Sequence, residues 1–189
     1  MMIYEEKRVV YQNEDLLIRE LHQANDENQI YKWLSDPKVL EFYEGRDVTF
    51  KMEDVKRKFF NREDEITRCM IVYQGKDIGY IQFYPINTDT SNLAEYQEIE
   101  GVYGLDQFIG ESKFWNKGIG TLLVSSMVNY LFTEKMAARI IMDPMTTNER
   151  AIKCYEKCGF RKVKVLSKQM LHEGEYRDYW LMEAINNTS

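Results

Sequence analysis

The chain has 189 residues, a formal net charge of −6, 44% hydrophobic and 13% aromatic residues. This length suits one domain over 1–189 with little room for a second, and the charge disfavours nucleic acid, whose phosphates need a basic face. With no apolar run near the ~20 residues that span a membrane and no basic-then-apolar order at residues 1–6, the expected location is cytoplasmic, without a membrane partner.

Residues 1–15 form an extra strand or a loose arm, and 16–21 read as the first full strand. Ile30, Trp33 and Leu34 mark a helix over 26–34 that closes near Pro37, and Met52, Val55, Phe59 and Phe60 mark another over 51–61. Residues 69–73 and 78–84 flank Gln74-Gly75-Lys76-Asp77 as a hairpin, and 87–95 is a polar loop. A strand up to Gly110, a turn at Gly118, a helix to about Phe132 and a strand over 139–142 follow. The next helix opens at Thr146 or Thr147 and closes at a left-handed Gly159. Strands near 162–166 and 176–183, joined by His172-Glu173-Gly174-Glu175, end the chain. Strands, then β-α-β, then an antiparallel end predict an α+β fold, a mixed sheet with helices on both faces.

Two stretches carry chemistry. In Gly104-Leu105-Asp106-Gln107-Phe108-Ile109-Gly110, followed by Trp115-Asn116-Lys117-Gly118-Ile119-Gly120-Thr121, a strand with one carboxylate leads through a glycine turn into a helix. Unpaired N–H groups at that helix start can hold a phosphate. A Walker loop fails here because Lys117 precedes Gly118. A dinucleotide fingerprint, with Asp143 as its distal carboxylate, stays open as a rival, although Leu123 stands at its third glycine. In the second stretch, Asn148 and Tyr155 are seven apart and share a helix face.

The remaining residues narrow the chemistry. Cys69, Cys154 and Cys158 give no disulfide framework and read as packing residues; with only His22 and His172 beside them, no zinc pattern forms and no metal is expected. The same shortage of histidine disfavours a Ser-His-Asp or Cys-His mechanism and points to a carboxylate or water as base. Asp106 shares a strand face with Val102, Gly104 and Phe108, either as a structural aspartate or as a proton acceptor. Gly104 suggests a bulge or a close approach. Tyr155 is a packing residue or a proton donor, and Asn148 a cap or an amide ligand. Glu98, Glu100, Asp106, Asp143, Glu173 and Glu175 all fall at strand ends or loops.

Together these strings, with Trp33-Leu34-Ser35-Asp36-Pro37 and Arg150-Ala151-Ile152-Lys153-Cys154-Tyr155-Glu156-Lys157-Cys158-Gly159-Phe160, resemble the GNAT N-acetyltransferase superfamily, in particular its aminoglycoside 6′-N-acetyltransferases, over about residues 16–182. The resemblance implies a sheet splayed at the Asp106 strand and acetyl-coenzyme A as cosubstrate. It implies direct attack by an amine in a ternary complex, with Asp106 as proton acceptor and Tyr155 as general acid for the departing thiolate. Phe108, Ile109, Lys117, Gly118, Ile119, Gly120, Thr121, Asn148 and Ala151 would bind the coenzyme. Tyr43 would stack on a sugar ring, and Glu100, Asp106, Asp143 and Glu173 would bind the ammonium groups of a cationic acceptor, in a monomer or a homodimer. Trp115 stands where the wider superfamily has Gln or Arg, which removes one polar contact. Acetylation of a polyamine or a protein amine, or coenzyme A binding without turnover, are the alternatives.

Overall fold

The computed structural model describes residues 8–87 and 91–187, so residues 1–7 of the expected N-terminal arm and 88–90 of the expected loop lie outside the described residues. One sheet contains β1 (Val9–Gln12), β2 (Leu16–Glu20), β3 (Thr67–Tyr73), β4 (Lys76–Pro85), β5 (Val102–Ile109), β6 (Arg139–Met142), β7 (Arg161–His172) and β8 (Glu175–Ile185), in the order β1-β2-β3-β4-β5-β6-β8-β7. The helices are α1 (Gln23–Trp33), α2 (Pro37–Leu40), α3 (Met52–Val55), α4 (Ile119–Glu134) and α5 (Glu149–Lys157).

Among the described residues only β5 and β6 pair in parallel, and α4 is the crossover that such a pair requires. A doubly wound dinucleotide fold needs a mostly parallel sheet, so that rival falls, and Leu123, where it wants a glycine, is fully buried. Alternation along β3 sets the layers. Cys69 and Ile71 pack with Leu123, Val124 and Met127 of α4, while Met70 and Val72 pack with Ile30, Trp33 and Val55 of the N-terminal helices. Helices therefore cover both faces.

Several elements differ from the sequence reading for local reasons. Pro37 opens α2 rather than only ending α1, because Asp36 accepts the Lys38 N–H at 2.9 Å and proline suits a first helical position. The expected 51–61 helix is α3 continued by a π-helical turn, Lys56–Phe60. Residues 91–95 of the expected loop belong to a 3-10 stretch, Ser91–Tyr96, kinked at Leu93, that seats Tyr96 over Val102 and Leu181. The cap of α5 is neither threonine but Asn148, whose Oδ1 accepts the Ala151 N–H at 3.2 Å. Gly159, at φ +91°, ends that helix as expected.

Gly104 lies in a regular ladder, not a bulge, since β4 and β5 pair without a shift from Gly79↔Ile109 to Pro85↔Tyr103. Its glycine is required by a close approach: a Cβ there would fall 2.5 Å from the ring of its cross-strand partner Tyr84. The sheet does splay at this strand. β6 follows β5 only from Val102↔Arg139 to Gly104↔Ile141, after which residues 105–109 stay with β4 alone.

The N-terminal half is anchored by a buried ion pair. Arg19 on β2 holds Asp26 of α1 through two bonds of 2.7 and 2.9 Å, and Asp26 also accepts the His22 N–H at 2.7 Å. Removing one partner leaves the other charge buried and uncompensated. Asp26→Ala should therefore lower the unfolding free energy by about 3–5 kcal/mol, read by urea denaturation. A loss under about 1 kcal/mol would mean that Asp77, 3.4 Å from Arg19, takes over the guanidinium.

Candidate active site

Where β5 and β6 part, a cleft of about 790 Å³ passes through the sheet. Odd and even residues of β5 face opposite layers, so Asp106 points with Phe108 toward the α1–α3 side and Gln107 toward α5. The parted strands join the two sides into one space.

On the first side, Asp106 Oδ2 accepts from Gln82 Nε2 at 2.8 Å and from Tyr84 Oη at 3.1 Å, and Gln82 Oε1 accepts from Tyr80 Oη at 2.6 Å. Both bonds fall on one oxygen and neither uses Oδ1, on a residue that lines the cleft. Burial pushes the carboxyl above its ordinary range, and the two hydrogen bonds and Lys58 offset part of that rise. Asp143, just beyond β6, is open to water through the cleft but crowded by protein. Desolvation, and then the charge of Asp106, raise it to about 7. Tyr43 lines this side with its ring 4.7 Å from that of Phe108.

On the other side, the Tyr155 hydroxyl accepts from Gln107 Nε2 at 2.9 Å, so its own proton is free to donate into the cleft. Burial first, and then nearby negative groups, hold this phenol well above its ordinary range, so it stays protonated. Gln107 Oε1 is buried without a partner. The α4 start is built for an anion: Gly118 takes φ +78°, there is no side-chain cap and no acid in the first turn, and the first helical bond is Leu122 N–H to Gly118 O. The N–H groups of Ile119, Gly120 and Thr121 are thus available. Arg150, Lys153 and Lys157 of α5 line the same end.

Of the residues read from sequence, Tyr43, Asp106, Phe108, Ile109, Gly118, Gly120, Thr121, Asp143, Asn148, Ala151 and Tyr155 all line this cleft. Ile119 can offer only its N–H, because its side chain is core. Ile109 keeps its N–H, but its carbonyl already accepts from Trp115 Nε1 at 2.7 Å. Lys117 is exposed and does not line the cleft. Glu100 is a correction: it precedes β5 at the end far from Asp106, roughly 20 Å along an extended chain. Glu173 is another, because Arg46 holds its carboxylate with bonds of 2.5 and 2.7 Å, keeping it at about 2. Glu98 and Glu175 are exposed and outside the lining.

The cleft is therefore not a ring of acids. Its carboxylates are Glu44, Asp106 and Asp143; Glu44 pairs with Lys58, and the lining cations Arg62 and Arg68 pair with Asp64. Gln82, Tyr84, Glu44, Gln107 and the α5 cations escaped the sequence reading. A usable signal existed for the first two: Tyr80, Gln82 and Tyr84 share one strand face, and in a hairpin register Gln82 falls opposite Asp106.

Comparison with known proteins follows the same lines. The family model for an acetyltransferase (GNAT) domain matches residues 22–168. The chain is 29% identical over 157 residues to the aminoglycoside N(6')-acetyltransferase type 1 of Klebsiella pneumoniae, covering 82% of this chain and 78% of that protein. A 62-residue stretch, 33% of this chain and 57% of the relative, is 44% identical to a kanamycin resistance protein of Rhizobium radiobacter. The solved structure of AAC(6')-Ib with ribostamycin and coenzyme A superposes with a TM-score of 0.78 at 26% identity, covering 92% of this chain and 94% of that one.

The Arg46–Glu173 pair joins the 41–46 segment to the β7–β8 turn, where His172 Nε2 also donates to the Glu41 carbonyl at 2.9 Å. Arg46→Ala should quicken amide hydrogen exchange several-fold at 41–47 and 172–174 and leave β3 and β4 unchanged. Unchanged exchange at the two segments would show that the histidine bond and packing suffice.

Proposed function

The chain belongs to the acetyltransferase (GNAT) family, and we propose that its cleft transfers the acetyl group of acetyl-coenzyme A to the 6′-amine of an aminoglycoside. The observation that carries the acceptor class is the pair Asp106 and Asp143: desolvation and then the charge of Asp106 raise Asp143, and Lys58, the cation that acts on Asp106, is already paired with Glu44. A polycation relieves both desolvation and mutual repulsion. The aminoglycoside relatives support the same reading.

The residues present fit the coenzyme. The α4 N–H groups and the α5 cations suit its phosphates, a Cβ at Gly118 would meet nothing within 4 Å, and the orphaned Gln107 Oε1 can accept an amide N–H of the pantetheine arm. Bound there, acetyl-coenzyme A supplies a thioester carbonyl. Asp106 Oδ1, steadied through Oδ2 by Gln82 and Tyr84, takes the proton from the attacking nitrogen. Its burial makes it a stronger base than an exposed aspartate. Tyr155, protonated and turned by Gln107, delivers a proton to the leaving sulfur. Among the described residues no cysteine–base pair stands beside Asp106, which favours direct attack.

Thiol release measured with a kanamycin-type drug, spermidine and a lysine peptide tests the acceptor. Turnover should be highest with the drug, and turnover confined to spermidine or the peptide would overturn the assignment. Asp106→Asn should lower kcat about 100- to 10,000-fold while coenzyme affinity holds within about twofold. Turnover within a few-fold of wild type would remove Asp106 from the mechanism.

Asp143 gives a pH signature. Its carboxyl is raised in the free enzyme, and a bound ammonium lowers it, so drug binding below about 7 releases a proton from this site. Affinity should therefore strengthen as pH rises through that value. Calorimetry in buffers of different ionisation enthalpy should show less proton release for Asp143→Asn than for wild type. Equal release would place the ammonium elsewhere.

A further inference from the structure

Cys154 and Cys158 do not simply fill the core. Both are free thiols, half-buried, Cys154 on α5 and Cys158 at its C-terminal cap, toward the first turn of α4. Cys154 Sγ lies 3.6 Å from Thr121 Oγ1, and Cys158 Sγ donates to the Thr121 carbonyl at 3.5 Å. Cys154 lines the cleft, and a Cβ on Gly120 would sit 3.6 Å from its sulfur. A thiol thus borders the space that the free α4 N–H groups face. Cys69 is the contrast: it is fully buried, and desolvation pushes its thiol up to about 12.

We propose that Cys154 is a covalent modification site for low-molecular-weight disulfides, and that the adduct excludes the coenzyme from the phosphate end of the cleft. The exclusion rests on the coenzyme reading above; the modification does not. The neighbouring Cys158 thiol, and then the Thr121 hydroxyl, hold the Cys154 thiol below its ordinary range against its burial. Lys157 on α5 adds a positive charge, and α4 presents no acid in its first turn. The thiolate attacks one sulfur of RS–SR; the Cys154–SR bond forms as the S–S bond breaks, and RS⁻ leaves to take a proton from water. The disulfide is the only oxidant. An adduct carrying carboxylates, such as a glutathionyl group, adds anionic groups beside the α4 N–H groups that would hold phosphate.

The test treats the reduced protein with glutathione disulfide near neutral pH and follows intact mass, peptide mapping and acetyl-coenzyme A binding by calorimetry. One adduct on Cys154 is expected, with coenzyme affinity lowered at least about tenfold and restored by dithiothreitol. Coenzyme A added beforehand should slow the adduct, Cys154→Ser should abolish it, and Cys158→Ala, by removing a donor, should slow it. An adduct on Cys69 or Cys158 instead, or none, overturns the site. An adduct on Cys154 with unchanged coenzyme affinity overturns the exclusion. Failure of the unmodified protein to bind acetyl-coenzyme A would count against the coenzyme reading itself, while mass mapping still judges Cys154.

Discussion

Everything at the candidate site depends on two ladders pulling the chain apart. β5 stays with β4 along its whole length, whereas the chain leaving β6 turns to β8: Trp180 N–H donates to the Pro144 carbonyl at 2.9 Å, and Met145 bridges Tyr179. Pro144 has no N–H with which to continue a ladder toward β5. The gap is thus held open by bonds on its outer sides. Backbone groups of 105–109 that would face β6 are left for other partners, and Trp115 takes only one of them, the Ile109 carbonyl.

The opening also sorts charge. Asp106 and Asp143 stand at one end, where the cations Lys58, Arg62 and Arg68 are taken by Glu44 and Asp64, while uncapped N–H groups and Arg150, Lys153 and Lys157 stand at the other. A cationic acceptor and an anionic cosubstrate are therefore drawn to opposite ends of one space, which orients each before contact. The same carboxylates contribute to the rise of Tyr155, so the field that attracts the amine also keeps the donor protonated. Gly104 serves this arrangement from below, because only its missing Cβ lets Tyr84 lie across the strand and reach Asp106.

What could be read from sequence was local. The Gly118 turn, the Gly159 stop, the face of Asp106 and the β-α-β order follow from backbone rules that act within a few residues. The misreadings are non-local or competitive. Glu173 was counted as a free acid because nothing near it in sequence announces Arg46, 127 positions away. Glu100 was counted because it stands at a strand end, but it precedes β5 at the end far from Asp106, and sequence position alone does not say which end borders the cleft. Asn148 won the α5 cap from two threonines because all three were competent and only the path of the chain decided.

Trp115 shows how a departure from a pattern can be absorbed. It replaces a polar residue, yet its indole N–H fixes the end of β5 and its ring lies 4.4 Å from the Arg150 guanidinium. Arg150 also lies 5.6 Å from the ring of Phe42, in the segment that Glu173 and His172 hold. One cation on the coenzyme-side helix therefore touches both the end of the motif strand and the acceptor-side loop. Exposed cation–π contacts are worth only about 0.5–1 kcal/mol each, so this bridge is weak enough to yield to an entering ligand. It is too weak to be a strut that holds the fold.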